Sequence, residues 1–483
     1  MAAHMSADEF RRHGHDLVDW VADYWESVGS LPVRPTDPPG AVAARLPSGP
    51  PASGDGFAGL RDDLDRVVLP GMTHWQHPGF FAYFPANTSG PSVLADLVGA
   101  GLGVQGMLWA TGPAATEVET VMLDWLASLL DLPRRFRSTS TGGGVIQDSA
   151  SSAALVATLA GLHRAGGGAW RTDGLGGTRY TVYTSTQGHS SIEKAARIAG
   201  IGSSGVRQIE VDPATLAMDP TALRAALSAD VAAGARPAVV VATIGTTSTT
   251  AVDPLPEIGR VCQEFGVWLH VDAAYAGAAA VCPELRWSHA GLEYADSYCF
   301  DPHKWLLTGF DCDAFWVADR EALVSALTVM PEYLRNVATE SGAVIDYRDW
   351  GVPLGRRFRS LKLWFVLRWY GAEGLRDHIR SGVSLAQHFA AKVAADDRFE
   401  IVAPHPFSLV CFRLKAGDAQ SEALLSRVNA DGRFYLTHTK VNGNYVLRLA
   451  VGAPQTTQSH VDAVWELIAT TATELLADQA ADS

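Results

Sequence analysis

No two cysteines in the chain stand in the C-x-x-C spacing of a zinc or redox pair. The five, Cys262, Cys282, Cys299, Cys312 and Cys411, are scattered and odd in number. That argues against a disulfide scaffold and a structural zinc site, predicts no metal, and suits a reducing cytoplasm. Also lacking is an apolar run of the roughly 18–20 residues that a bilayer-spanning helix needs. The nearest, residues 97–110, is rich in Gly and broken by Gln105. Asp8, Glu9, Arg11 and Arg12 stand where a secretory leader would need its apolar stretch. There is no block of Lys and Arg either. The 38 basic residues face 52 acidic ones, for a net charge of −14, which disfavours nucleic acid and anionic membranes as partners. An anionic ligand must be drawn in by a local site.

What is present is size and apolar content: 483 residues, 47% of them hydrophobic. At roughly 100–200 residues per domain, this predicts two to four domains with at least one large core. Ser6-Ala7-Asp8-Glu9 reads as a capping box opening a helix, with Phe10, Leu17, Val21, Tyr24 and Val28 at helical spacing. The Pro- and Gly-rich residues 29–54 form a connector. Such a helix has little core of its own and is expected to dock on another domain or a second subunit. The middle of the chain reads as α/β. Residues 236–243 contain a Val-rich strand, 254–265 a crossover helix and 267–272 the next strand, while 181–185 and 190–201 form another strand and helix. From about residue 374 onward, strand-like 407–414 and 445–451 and a helix from about Ser459 fit a smaller α+β domain.

Two motif matches carry no function. Gly101-Leu102-Gly103-Val104-Gln105-Gly106 fits G-x-G-x-x-G, but it follows a helix-like segment, whereas a dinucleotide fingerprint follows a strand. Ser191-Ile192-Glu193-Lys194 fits S-x-x-K without the S-D-N or K-T-G partner.

Three other segments are chemically pointed. Lys304 lies among aromatic and aliphatic residues in Ser297–Leu307, where an ammonium is costly to bury. A snorkelling lysine is the plain alternative. The functional reading is an amine whose pKa is lowered by an apolar, cation-rich pocket so that it attacks an aldehyde. Asp272 closes the apolar strand 267–272 and is followed by the small residues Ala273 and Ala274. It is either a salt-bridge or capping residue, or an anion held against a protonated pyridine nitrogen. The run Gly142-Gly143-Gly144, followed by Ser149, Ala150, Ser151 and Ser152, offers a phosphate cradle of backbone N–H groups and hydroxyls. In the order cradle, His189, Asp272, Lys304, with Asp272 and Lys304 32 residues apart, these elements resemble the large domain of the aspartate-aminotransferase fold, fold type I of the pyridoxal 5'-phosphate (PLP) enzymes.

The chain further resembles the group II PLP-dependent decarboxylases, specifically the aromatic-L-amino-acid decarboxylases. The likeness runs through residues 77–85, 116–119, 142–151, 189–191, 270–277, 301–307, 346–350 and 353–362. It implies a mostly parallel large-domain sheet plus a smaller α+β C-terminal domain. The implied division is a helical segment 1–90 wrapping a dimer partner, a PLP-binding domain 91–372 and a small domain 373–483. By the same likeness Lys304 holds the cofactor covalently, Asp272 keeps its ring nitrogen protonated, and His189 and Ala274 flank the ring. Ser149, Ala150, Ser151, Thr247, His303 and Gly355 complete the cofactor shell, and the Tyr333 hydroxyl returns a proton to the substrate. Trp75, Tyr83, Phe84, Pro85, Ala86, Gln105, Met107 and His303 line the substrate side-chain pocket.

The implied activity is conversion of an aromatic L-amino acid to the arylalkylamine and CO2. Ala86 stands where the animal enzymes carry a threonine, which weakens dopa as substrate. Gly355 makes room for an indole, so tryptophan is favoured, with tyrosine, dopa and phenylalanine as alternatives. An aromatic acetaldehyde synthase on the same scaffold is the rival reading, against which His189 and Tyr333 both speak. By the same resemblance Asp301 stands where the animal relatives have an asparagine, close to the expected phosphate, where a carboxylate repels a dianion unless it points away or pairs with a cation. The resemblance also implies a cytoplasmic homodimer with shared active sites.

Overall fold

The Val-rich run becomes a central strand because both of its faces are covered. In the computed structural model, which describes residues 4–54, 56–329 and 344–482, the large sheet contains seven strands. These are β1 (Gly143–Gln147), β2 (Tyr180–Ser185), β3 (Val206–Ile209), β4 (Arg236–Thr243), β5 (Trp268–Asp272), β6 (Ser297–Phe300) and β7 (Asp313–Val317). Their spatial order is β1-β7-β6-β5-β4-β2-β3. β3, β2, β4, β5 and β6 pair in parallel, while β7 runs against both β6 and β1. Val239, Val240, Val241 and Ala242 pair with Trp268, Leu269, His270 and Val271, all of them buried. This is the continuous apolar pattern of a sheet with helices on both faces.

The Ala-rich helix Ala150–Gly166 lies tightly on that sheet. A Cβ added at Gly161 would fall 2.7 Å from the Ala238 carbonyl oxygen, so only glycine allows this approach. The expected phosphate-cradle glycines behave differently from the reading above. Gly143 and Gly144 belong to β1, and a Cβ at Gly144 would fall 2.7 Å from the Trp316 indole nitrogen. They are required for close packing within the sheet, and only the hydroxyl residues that follow open toward a cavity. The Gly101–Gly106 match is likewise structural: it ends the helix Gly90–Leu102, with Gly103 as a left-handed C-cap at φ 62°.

A second, antiparallel sheet holds β8 (Phe399–Ile401), β9 (Leu409–Leu414), β10 (Thr437–Val441) and β11 (Asn444–Ala450) in the order β10-β11-β9-β8. The helices Asp418–Ala430 and Gln458–Asp482 accompany it. The long helix Arg359–Ala394, broken at Gly371 (φ 62°), contributes to the cores of both sheets. The helix Ala7–Ser27 has the expected capping box between Ser6 and Glu9 and buries none of its residues. Its apolar face and Val93, Leu94 and Leu97 of the helix Gly90–Leu102 border an open hollow. Among the described residues no helix is long and apolar enough to cross a membrane.

Two stability predictions arise from this core. Trp268 is fully buried, donates its indole N–H to Ser297 Oγ at 2.8 Å and lies under the Arg164 guanidinium. Trp268→Ala is expected to cost about 3–5 kcal/mol, read as a lower midpoint of urea unfolding. His270 on β5 is fully buried, and burial pushes its pKa down to about 4. The unfolded chain therefore takes up a proton near pH 6.5 that the folded state refuses until about pH 4. Stability from this group is complete above pH 6.5 and declines as pH falls through that window, by up to about 1.4 kcal/mol per pH unit. His270→Gln should flatten the pH dependence of the unfolding free energy by that amount. An unchanged slope would refute the assignment.

Candidate active site

The carboxyl ends of the parallel strands, the usual ligand edge of such a sheet, deliver the chemically pointed residues to one place. β1 is followed by Ser149, Ala150 and Ser151, β2 by His189, β4 by Gly245 and Thr247, and β5 ends on Asp272 and continues to Ala274. β6 leads into Asp301, His303 and Lys304. All of these line one cavity of about 210 Å³, together with Phe84, Thr243, Tyr275 and Phe310. β7, running the other way, begins at this same edge, with Ala314 paired to Phe300.

Each group is held in a defined state. Asp272 is buried, and its Oδ1 accepts the Ala274 N–H at 3.0 Å. His189 Nδ1 accepts the Ser191 N–H at 3.2 Å and lies 2.8 Å from Ser191 Oγ. This bonding places the ring proton on Nε2. Burial lowers the His189 pKa despite the opposing pull of Asp272, so the ring is neutral. His303 Nδ1 meets the Cys312 carbonyl and amide at 2.8 and 3.0 Å, its ring packs edge-on against Phe310, and burial lowers its pKa as well. Phe84, Tyr275 and Trp305 form a stack with centroid spacings of 3.7 and 4.8 Å. The Tyr275 hydroxyl is hydrogen-bonded to Ser408, which ties this wall to the second sheet's domain.

Lys304 departs from the expectation of a lowered pKa. Burial pulls the ammonium down. Asp301 Oδ2, 2.7 Å from Nζ, outweighs that by charge and hydrogen bond, with Asp272 adding to it, and Lys304 is held above the ordinary lysine range. The pocket is rich in carboxylate, not in cations. Asp301 is also the residue whose charge the sequence made awkward. Lys304 is its cation, and its Oδ1 accepts the Ala150 N–H at 3.2 Å, the first amide of the helix Ala150–Gly166. Ser149, the residue capping that helix, makes no side-chain cap bond.

Of the proposed substrate-side residues, Phe84 and His303 line the cavity. Tyr83 borders an adjoining hollow that shares Thr247 with it, and Trp75 stacks on Tyr83 at 5.7 Å. Pro85, Ala86 and Met107 are not on the cavity wall: Pro85 packs on Gly452, the Ala86 carbonyl accepts from Gln76 Nε2, and the Met107 carbonyl accepts from the Arg348 N–H. Gln105 lies in a separate hollow with Asp96, Arg359 and Lys362, and a Cβ on Gly355 would sit 3.3 Å from Gln105 Oε1. Tyr333 lies outside the described residues. Sequence reading missed Tyr275, Thr243, Gly245 and Phe310 as cavity residues. A tyrosine two positions after an alanine beside Asp272 was the available signal for the first. No group of three or more His, Cys, Asp or Glu side chains that could hold a metal occurs among the described residues.

Comparison with known proteins gives a consistent result. The pyridoxal-dependent decarboxylase conserved domain matches residues 39–415. Tryptophan decarboxylase 2 of Oryza sativa subsp. japonica is 45% identical over 98% of this chain and 96% of its own length. Phenylacetaldehyde synthase of Arabidopsis thaliana is 44% identical over 98% of this chain and 97% of its own. The crystal structure of Catharanthus roseus tryptophan decarboxylase in complex with L-tryptophan superposes with a TM-score of 0.93 at 41% identity, covering 98% of this chain and all of that one.

Proposed function

The chain belongs to the pyridoxal-dependent decarboxylase family, and from that premise we propose that it decarboxylates an aromatic L-amino acid to its arylalkylamine, with tryptophan favoured over tyrosine, dopa and phenylalanine. The observation that carries the proposal is the convergence of Lys304, Asp272 and His189 on one cavity at the strand ends. The donor set fits pyridoxal 5'-phosphate. An amine faces the cavity for an aldehyde, a buried carboxylate for a protonated pyridine, and the hydroxyls of Ser149, Ser151 and Thr247 beside a helix N-terminus for a phosphate. When bound, that cofactor supplies an aldehyde that condenses with amines and a cationic ring that accepts the electron pair left as CO2 departs.

The residues divide the remaining work. Lys304 Nζ must lose a proton before it attacks an aldehyde, and Asp301 Oδ2 at 2.7 Å is the base in contact with it. Asp272, deprived of bulk water, favours a positive charge on whatever nitrogen it meets. His189, neutral with its proton on Nε2, offers a flat ring that adds no charge to the cavity. Phe84, stacked on Tyr275, supplies an apolar wall that suits an aromatic substrate. By family resemblance the Tyr333 hydroxyl returns a proton to the substrate α-carbon, and the division into 1–90, 91–372 and 373–483 belongs to the same reading.

The assignment is tested by measuring amine and CO2 side by side on the four acids. Release of neither from any of them refutes it. The phenylacetaldehyde synthase relative supports a second reading, in which O2 and water are consumed and aldehyde, ammonia and hydrogen peroxide appear beside CO2 instead of amine. Tyr333→Phe is expected to lower amine and raise aldehyde; unchanged amine output would remove Tyr333 from the mechanism. The apolar hollow beside the helix Ala7–Ser27 supports a homodimer in which that helix covers a second copy and Gln105 and Gly355 reach the neighbouring site. A monomeric mass in solution would overturn it. Five buried free cysteines support a cytoplasmic setting.

A further inference from the structure

Asp313, the first residue of β7, is completely buried, and among the described residues no N–H or hydroxyl donor reaches either carboxyl oxygen. The group that faces it is the Asp301 carboxyl, itself 2% exposed. Two carboxyl groups in contact are both satisfied only when one of them carries a proton. Asp301 is already committed as an acceptor twice, from Lys304 Nζ at 2.7 Å and from the Ala150 N–H at 3.2 Å. Asp313 has no such donors, so the proton rests on Asp313.

The surroundings agree. From β5 comes Asp272, from the end of β6 come Cys299, Asp301, His303 and Lys304, and from the residue before β7 comes Cys312. Lys304 is the cation among them, set against three carboxyl groups. The thiols of Cys299 and Cys312 and the phenol of Tyr298 are pushed up chiefly by burial, and they stay neutral. Burial, reinforced by Asp301 and Asp272, raises the Asp313 carboxyl well above the usual carboxylate range.

We propose that Asp313 is a positioning residue that shares one proton with Asp301, so that the pair presents a single negative charge to Lys304 and to the Ala150 amide, and that loss of this proton at alkaline pH weakens the hold on the phosphate-bearing cofactor. The proposal rests on the assigned cofactor. Its physical content is local. The amide that Asp301 occupies belongs to the helix N-terminus suited to the phosphate. One carboxylate there is balanced by Lys304. A second, unbalanced charge behind it repels a phosphate dianion across a water-poor wall. The neutral Asp313 acid thus makes an aspartate tolerable beside the helix N-terminus suited to the phosphate.

The test compares cofactor retention of the holoenzyme, Asp313→Asn and Asp301→Asn between pH 6.5 and 9.5, by ultrafiltration and absorbance of the bound pyridoxal phosphate. Titration of the free cofactor is common to all three and cancels in the ratio. Asp313→Asn keeps a hydrogen-bond donor toward Asp301 and cannot ionise. Relative to it, the unaltered enzyme should lose affinity by up to about tenfold per pH unit at the alkaline end, the limit for one linked proton. Asp301→Asn should also lack this extra loss. Parallel curves for the unaltered enzyme and Asp313→Asn would overturn the proposal. Infrared spectroscopy gives a second reading that needs neither activity nor a folded variant. The unaltered protein at pH 7 should show a protonated-carboxyl C=O stretch that disappears when the pair ionises, and its absence overturns the shared proton. A protein that shows this band yet holds no pyridoxal phosphate at any pH would refute the functional assignment and leave the shared proton standing.

Discussion

Lys304→Ala is expected to abolish amine formation, lowering kcat by more than about 10³-fold, while leaving the protein folded. Lys304 is partly exposed to the cavity, and its removal opens no void in the core beneath it. What the variant does leave is Asp301 without its cation. The unaltered enzyme should show a visible absorbance band that borohydride reduction removes and fixes to the chain at residue 304. The variant should show neither the band nor the fixed label. A colourless parent, or a variant that keeps more than a small fraction of the activity, would mean that Lys304 is an ordinary ion-paired lysine and that the functional assignment fails with it.

Asp272→Asn is the second large effect. Asparagine keeps the volume and an oxygen to accept the Ala274 N–H that Asp272 Oδ1 accepts at 3.0 Å. The fold should therefore be retained, and only the charge is lost. With no anion to favour a protonated ring nitrogen, kcat is expected to fall roughly 10²–10³-fold, as when a single electrostatic stabiliser is deleted. Thermal unfolding should change little. A loss smaller than about tenfold would show that the carboxylate serves the loop at Ala274 and not the reaction.

Sequence alone disclosed the parts of this molecule that contradict their own surroundings. An acid ending an apolar strand and an amine amid aromatic residues are both costly unless something rewards them, and Asp272 and Lys304 were legible for that reason. The run at 236–243 was legible because continuous β-branched residues have few uses other than a strand covered on both faces. The pKa direction of Lys304 was not legible. It depends on Asp301, three residues earlier, turning its carboxylate onto Nζ, and spacing says nothing of that rotamer. The glycines at 143 and 144 suggested a loop because glycine is permissive there. What requires them is the Trp316 indole arriving from a strand far along the chain. Asp313 was invisible for a related reason: an acid opening a short apolar stretch reads as a solvated strand end, and only the antiparallel placement of β7 turns it inward. Trp75, Tyr83 and Gln105 illustrate the limit of carrying positions over by resemblance. Within one chain Tyr83 and Gln105 border neighbouring hollows and Trp75 stacks on Tyr83, and their contribution depends on the proposed second subunit.

The position of β7 governs the order in which this molecule can be completed. It is the last strand of the large sheet to leave the ribosome, yet it lies between β1 and β6, the first strand made and the one just before it. Until residues 313–317 emerge and insert, β1 has no partner in the sheet, and the segment Ser149–Ser151 that follows it is placed only by the packing of the helix Ala150–Gly166 on β4. A nascent chain truncated before residue 313 would thus possess every residue that lines the cavity but not the strand that joins β1 to β6. The edge of the sheet beside the cavity is closed only by that final zip.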